Sequence, residues 1–208
     1  MEAVRFEVAA VLFDIDGTLV DSTAVVERSW RAWASERGVD PDAVLAVCHG
    51  RRSADTVARF VPADQFTAAV ADLDRRELAD FDGIVPIPGA AALLGQLGAD
   101  RWAAVTSGSQ VLMRARLRAA GLPAPAVLIA GEDVAVGKPN PEGYLTAAAA
   151  LGREIGECLV VEDAPAGIDA ARQAGARVGG GQRQHAAARL GSADAVVADL
   201  SAYRALYD

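Results

Sequence analysis

"VLFDIDGTLVDS", residues 11–22, joins an apolar run to two acids, Asp14 and Asp16, and then to a glycine and a threonine. The run that reaches Asp14, "VAAVLFD" over 8–14, has no alternation of polar and apolar residues. A continuous apolar run of that length reads as a strand buried on both faces, the kind found inside a parallel sheet. The "DGT" that follows is ordinary turn chemistry. Two carboxylates at the end of a buried strand repel each other and lose their hydration. The chain must therefore bring countercharges to the same place if the pair is to be of use.

Working outward, similar short apolar runs recur: "WAAVTS" (102–107), "AVLIA" (126–130), "CLVVED" (158–163) and "AVVA" (195–198), with "ARVGG" (176–180) a weaker candidate. Helical patterns near 89–98, 109–120, 141–152 and 165–174 separate them. Strand and helix in alternation predict an α/β fold with a doubly wound parallel sheet. The alternation breaks once. Residues 23–80 hold no convincing strand and read as several helices, including "STAVVERSWRAWASERG" and "ADQFTAAVADLDRRELADF". Ser22 is a candidate N-cap for the first of these and Gly38 a candidate stop. The expected organisation is a core domain of residues 1–20 and 84–208 with an all-helical cap domain, 21–83, inserted after the first strand.

In an open parallel sheet, ligands bind at the carboxyl ends of the strands. Asp14 ends one strand, Thr106 and Ser107 another, Glu162 and Asp163 a third, and Lys138 lies in "VGKPNPEGY" after the strand at 126–130. Taken singly, each has an ordinary explanation: a turn acid, a strand-end hydroxyl, a helix cap ahead of Pro165, a solvated loop lysine. Those explanations do not predict that all four arrive at one edge. Lys138 is also the only lysine in a chain of 208 residues that otherwise uses arginine. It fits a place where a compact ammonium serves better than a planar fork.

Composition sets limits on function. Hydrophobic residues make up 52% and charged residues 23%, as in a folded globular protein. The net charge of −8 argues against a nucleic-acid partner, which needs a basic face. Cys48 and Cys158 are too few and too far apart for a disulfide framework. Acids interrupt the N-terminal segment where a signal peptide would be apolar, and no run is long enough to span a membrane. The expectation is a cytoplasmic protein, monomeric by default, with no membrane or nucleic-acid partner.

The four motifs, "DIDGTLVDS", "VTSGS", "GKPNP" and "VVEDAPAGI", resemble in order those of the haloacid dehalogenase superfamily of phosphatases, over nearly the whole chain. The resemblance implies a Rossmann-like core, a cap between the first and second motifs, and Mg²⁺ as cofactor. It implies that Asp14 is the nucleophile and forms an aspartyl-phosphate. Asp16 becomes the acid/base, Thr106, Ser107, Gly108 and Lys138 hold the phosphoryl group, and Asp14, Asp163 and the Asp16 carbonyl hold the metal. Glu162 orients Lys138. Carboxylate nucleophiles and oxygen-ligated Mg²⁺ are consistent with that chemistry.

The cap stretch "VCHGRRSADT", 47–56, places His49, Gly50, Arg51 and Arg52 as candidate specificity residues. With "DSTAVVERSW" it resembles the sugar-phosphate and glycerol-phosphate phosphatases of that superfamily, so the expected partner is a small phosphorylated metabolite. Three alternatives share part of this pattern. A β-phosphoglucomutase shares all four motifs, but its cap histidine is absent from "STAVVERSW". A receiver domain also phosphorylates an aspartate beside a lysine, but has no use for Asp16 or the insert. The dehalogenases themselves lack the second acid. His185, in the glycine-rich "VGGGQRQHAAARLG", reads as a surface residue.

Overall fold

A computed structural model describes residues 4–181 and 193–206; His185 lies outside the described residues. Among the described residues, the central sheet is built from β2 (Ala10–Phe13), β5 (Trp102–Val105), β6 (Val127–Ile129), β7 (Cys158–Glu162), β8 (Arg177–Gly181) and β9 (Ala195–Val197). These six lie in the order β6-β5-β2-β7-β8-β9, every pair parallel. The weaker candidate at 176–180 is thus a full member. Helix α5 (Ala90–Leu94) precedes β5, and α6 (Gln110–Ala119), α7 (Glu142–Ala150) and α8 (Pro165–Ala174) follow β5, β6 and β7 in turn.

The sheet is covered on both faces, which is why its strands carry no polar alternation. Val11 and Phe13 of β2 join Leu93, Leu112, Met113 and Leu117 in one core. Ala10 and Leu12 join Tyr144, Ala147, Ile168 and Ala171 in the other. Side chains of one strand alternate between the two cores with period two. Helices α5 and α6 therefore close one face, and α7 and α8 the other.

Four short strands, in two pairs, carry no period that a sequence reading can detect. Strands β1 (Val4–Glu7) and β10 (Tyr203–Leu206) pair in parallel as a separate two-stranded sheet. Strands β3 (Val20–Asp21) and β4 (Val85–Pro86) pair antiparallel, so the chain leaving the core and the chain returning to it run side by side.

Between them lie α1 (Thr23–Glu36), α2 (Pro41–Cys48), α3 (Ser53–Val57) and α4 (Phe66–Ala79). They pack around a core of their own, built on Trp30, Trp33, Val44, Val57 and Leu73. The two tryptophans meet edge to face, and the Trp33 indole N–H donates to the Ala69 carbonyl at 2.9 Å. Gly38, at φ +65°, ends α1 in the left-handed conformation that favours glycine. Ser22 precedes α1 but caps nothing; its hydroxyl is used elsewhere.

Candidate active site

The chain order moves outward from β2 to β5 and β6, then returns to the other side of β2 to lay down β7. Asp14 leaves β2 and Glu162 and Asp163 leave β7, at the point where the direction of winding reverses. That is where open α/β sheets bind their ligands.

Lys138 is the centre of the charge arrangement. Its Nζ donates to Asp14 Oδ1 at 2.6 Å, to Glu162 Oε1 at 2.6 Å and to the Val105 carbonyl at 3.1 Å. All three ammonium donors are used, and the nitrogen lies 5.2 Å from the Tyr144 ring centroid. Burial opposes the lysine's charge, but Asp14 and Glu162 more than offset this and hold its pKa well above the ordinary value.

Glu162 is saturated. Oε1 also accepts from the Tyr144 hydroxyl at 3.0 Å, and Oε2 accepts from the backbone N–H groups of Asp163 and Ala164 at 2.9 Å each. It thus fixes the two residues that lead into α8 and orients Lys138 at once. Room for it comes from Gly167, where a Cβ would collide with the Glu162 carboxylate.

Asp14, Glu162 and Asp163 each bring an oxygen within 4.8 Å of the others. With Glu162 already saturated, Asp14 and Asp163 are the acids with oxygens to spare. Asp163 Oδ1 accepts from Thr18 Oγ1 at 3.3 Å, while Oδ2 is buried and has no partner. An orphaned carboxylate oxygen beside two further acids fits a hard divalent cation, which takes oxygen ligands. Burial first, and then Glu162 and Asp16, push the Asp14 carboxyl up to about 8 against the pull of Lys138. Asp163 is pushed up as well, by burial and then by its acidic neighbours. A divalent cation would reverse both shifts.

Thr106 directly follows β5, and its Oγ1 accepts from the Gly108 N–H at 3.1 Å. The Ser107 hydroxyl donates to the Gly50 carbonyl at 3.1 Å, fastening the 49–52 loop to the core. Gly50 needs its φ of +72°, and a Cβ there would stand 2.8 Å from the Ala164 Cβ. Thr106, Ser107 and Gly108 line a cleft of about 70 Å³ together with Asp14, Asp16 and residues of the helical segment.

His49, Gly50 and Arg51 line that cleft; Arg52 does not. Its guanidinium turns to the outer side, pairs with Asp55 at 2.8 Å, and reaches the Val134 and Ala135 carbonyls at 3.5 and 3.4 Å. It ties helix α3 to the loop that carries Lys138. Burial lowers the pKa of His49.

Sequence reasoning missed three residues of this cleft. Ser22 donates to Asp16 Oδ1 at 2.7 Å. Arg116 donates to Asp16 Oδ2 at 2.6 Å and to Glu77 Oε1 at 2.9 Å. A signal for two of them existed: Arg116 falls three and four residues after Met113 and Leu112 on the buried stripe of α6, and Glu77 four after Leu73 on that of α4. A charge in phase with an apolar helix face marks a buried, paired group.

Known proteins bear on this arrangement. A family model described as haloacid dehalogenase-like hydrolase matches residues 8–175. Hexitol phosphatase A of Escherichia coli is 45% identical over 172 residues, 80% of each chain. Glycerol-1-phosphate phosphohydrolase 2 of Saccharomyces cerevisiae is 33% identical, over 83% of this chain and 74% of its own. A crystal structure of a hydrolase from Pseudomonas syringae superposes with a TM-score of 0.83 at 25% identity, covering 92% of this chain and 94% of that one. The reversal point of the sheet, the lysine held between two acids and the matching of most of the chain agree: this protein belongs to the haloacid dehalogenase-like hydrolase family.

Proposed function

We propose that the protein hydrolyses the phosphate monoester of a small sugar or polyol, with Mg²⁺ as cofactor and Asp14 as the nucleophile. The observation that carries this reading is the position of Asp14. Its Oδ1 is held at 2.6 Å by an ammonium that Glu162 also grips, next to an Asp163 oxygen with no partner. The names of the curated relatives, which concern hexitol and glycerol phosphates, support the substrate class.

Asp14, Asp163 and the backbone carbonyl of Asp16 would hold the metal, which would supply charge neutralisation for the phosphoryl group. Asp14 then attacks phosphorus with its free oxygen, while Lys138 stays on the other and balances the charge. The Thr106 hydroxyl and the N–H groups of Ser107 and Gly108 bind phosphoryl oxygens. Asp16 gives a proton to the departing alkoxide and later takes one from the water that cleaves the aspartyl-phosphate, help worth ~10²–10⁴-fold. The helical segment 21–83 acts as a cap, with His49, Gly50 and Arg51 meeting the alcohol portion. Arg52 fastens that cap instead of reading the substrate.

The test is phosphate release from glycerol phosphate, hexitol phosphates and hexose phosphates by purified protein, with Mg²⁺ and with chelator. Metal-dependent release from one of these, absent in Asp14→Asn, is the expected result. Hexose-phosphate isomerisation that requires a bisphosphate primer would transfer the reading to a phosphomutase.

A further inference from the structure

Arg116 is 2% exposed, on a helix face otherwise filled by Leu112, Met113 and Leu117. A buried guanidinium is costly unless its charge and its donors are all met, and a well-packed apolar residue often serves stability as well or better. Here the donors are not all met, because Nε is buried without a partner. Stability therefore gives a poor reason for Arg116, and its partners give a better one. One end of the fork holds Asp16 Oδ2 at 2.6 Å and the other holds Glu77 Oε1 at 2.9 Å. The three residues come from three separate pieces of chain: Asp16 from the turn after β2, Arg116 from α6, and Glu77 from α4 among the inserted helices. Ser22 fixes the remaining oxygen of Asp16.

We propose that Arg116 is a positioning residue: it aims the Asp16 carboxylate at the ester oxygen, and Glu77 makes that aim depend on the seating of α4. This rests on the reading of Asp16 as the acid/base. A planar fork gripped at both ends leaves the Asp16 carboxylate little freedom to rotate, which a single ammonium could not achieve across the same gap. When α4 is seated, Glu77 sets the plane of the guanidinium, and the guanidinium sets Asp16. When α4 lifts, the fork loses its far anchor and Asp16 loses its aim. Proton transfer is thereby confined to the state in which the inserted helices cover the cleft and water is restricted. Arg116 is not free to serve a second anionic group of the substrate, since carboxylates already occupy both ends of the fork.

The test compares two small substrates that differ in their need for a proton. Ethyl phosphate releases an alkoxide that must be protonated, whereas acetyl phosphate releases acetate unaided. Arg116→Met strands Glu77 as a buried charge and so threatens folding. Arg116→Met/Glu77→Leu removes both charges and keeps the protein testable, with folding checked by thermal melting. In the folded double variant, kcat/KM for ethyl phosphate should fall by about 10²-fold or more and that for acetyl phosphate by less than about tenfold. Arg116→Lys, which keeps the charge and loses the fork, should show the same inequality in weaker form. Equal losses on the two esters, or wild-type activity on ethyl phosphate, would overturn the positioning role alone. A wild-type protein inactive on every phosphate ester would overturn the functional reading, and this proposal with it.

Discussion

Replacing Lys138 by methionine tests the charge balance of the cleft. Methionine is unbranched and of similar length, so the substitution removes the ammonium and little volume. What is lost is two charge-assisted hydrogen bonds of 2.6 Å and one bond of 3.1 Å to a carbonyl. Such bonds contribute about 1.5–3 kcal/mol each where a charge is involved. The side chains of Asp14 and Glu162 are 11% and 1% exposed, so neither acid can recover its hydration. Removing one partner of a buried pair costs about 3–5 kcal/mol, and that is the loss expected at about pH 9, above the raised value of about 8 for Asp14, where both members carry their charge. Against a typical total of about 5–15 kcal/mol, this is a large share. The assay is equilibrium unfolding in urea at about pH 9, without metal. The double substitution Lys138→Met/Glu162→Gln should recover part of the loss, because one stranded charge is gone. An unchanged urea midpoint in Lys138→Met would refute the reasoning, since the ammonium would then not be compensating the buried acids.

Other consequences follow from the same geometry. The Asp14 carboxyl, ordinarily near 3.8, is pushed up to about 8, so the folded protein binds a proton more tightly than the unfolded chain does. Metal-free protein should therefore lose stability as pH rises from about 4 to about 8, and Mg²⁺ should raise the melting temperature more at pH 8 than at pH 5. No Mg²⁺ effect at either pH would contradict the metal assignment. Gly167→Ala would drive a methyl group into the Glu162 carboxylate and should cost ~1–3 kcal/mol in urea unfolding, with activity falling as Lys138 loses its orientation. His49→Ala should change the ranking of phosphate esters, whereas Arg52→Ala should lower activity on all of them alike; an Arg52→Ala variant with altered ranking would give that residue a direct substrate contact.

The central sheet was legible because its strands are buried on both faces and so appear as unbroken apolar runs. Strand β8 was harder to read, as "RVGGG" replaces side chains with glycines yet pairs with β7 through the backbone. Strands β3 and β4 are two residues each and show no period at all. In the site, residues at strand ends declared themselves by position, as Asp14, Thr106, Glu162 and Asp163 did. Arg116 and Glu77 did not, because their meaning depends on a contact 39 residues apart between a core helix and an inserted one. Ser22 looked like a helix cap, but its hydroxyl serves Asp16 instead. Arg52 looked like its neighbours in "HGRR", and only the path of its side chain separates it from them.

The claim on which the rest depends is that Asp14 carries the phosphoryl group. The direct measurement is rapid acid quenching during turnover of the preferred phosphate ester, followed by mass analysis of the peptide that contains Asp14 and Asp16. The account predicts a phosphoryl adduct on Asp14 in the wild type, its accumulation in Asp16→Ala if any forms, and none in Asp14→Asn. Steady phosphate release from Asp14→Asn, or an adduct on any other residue, would contradict it.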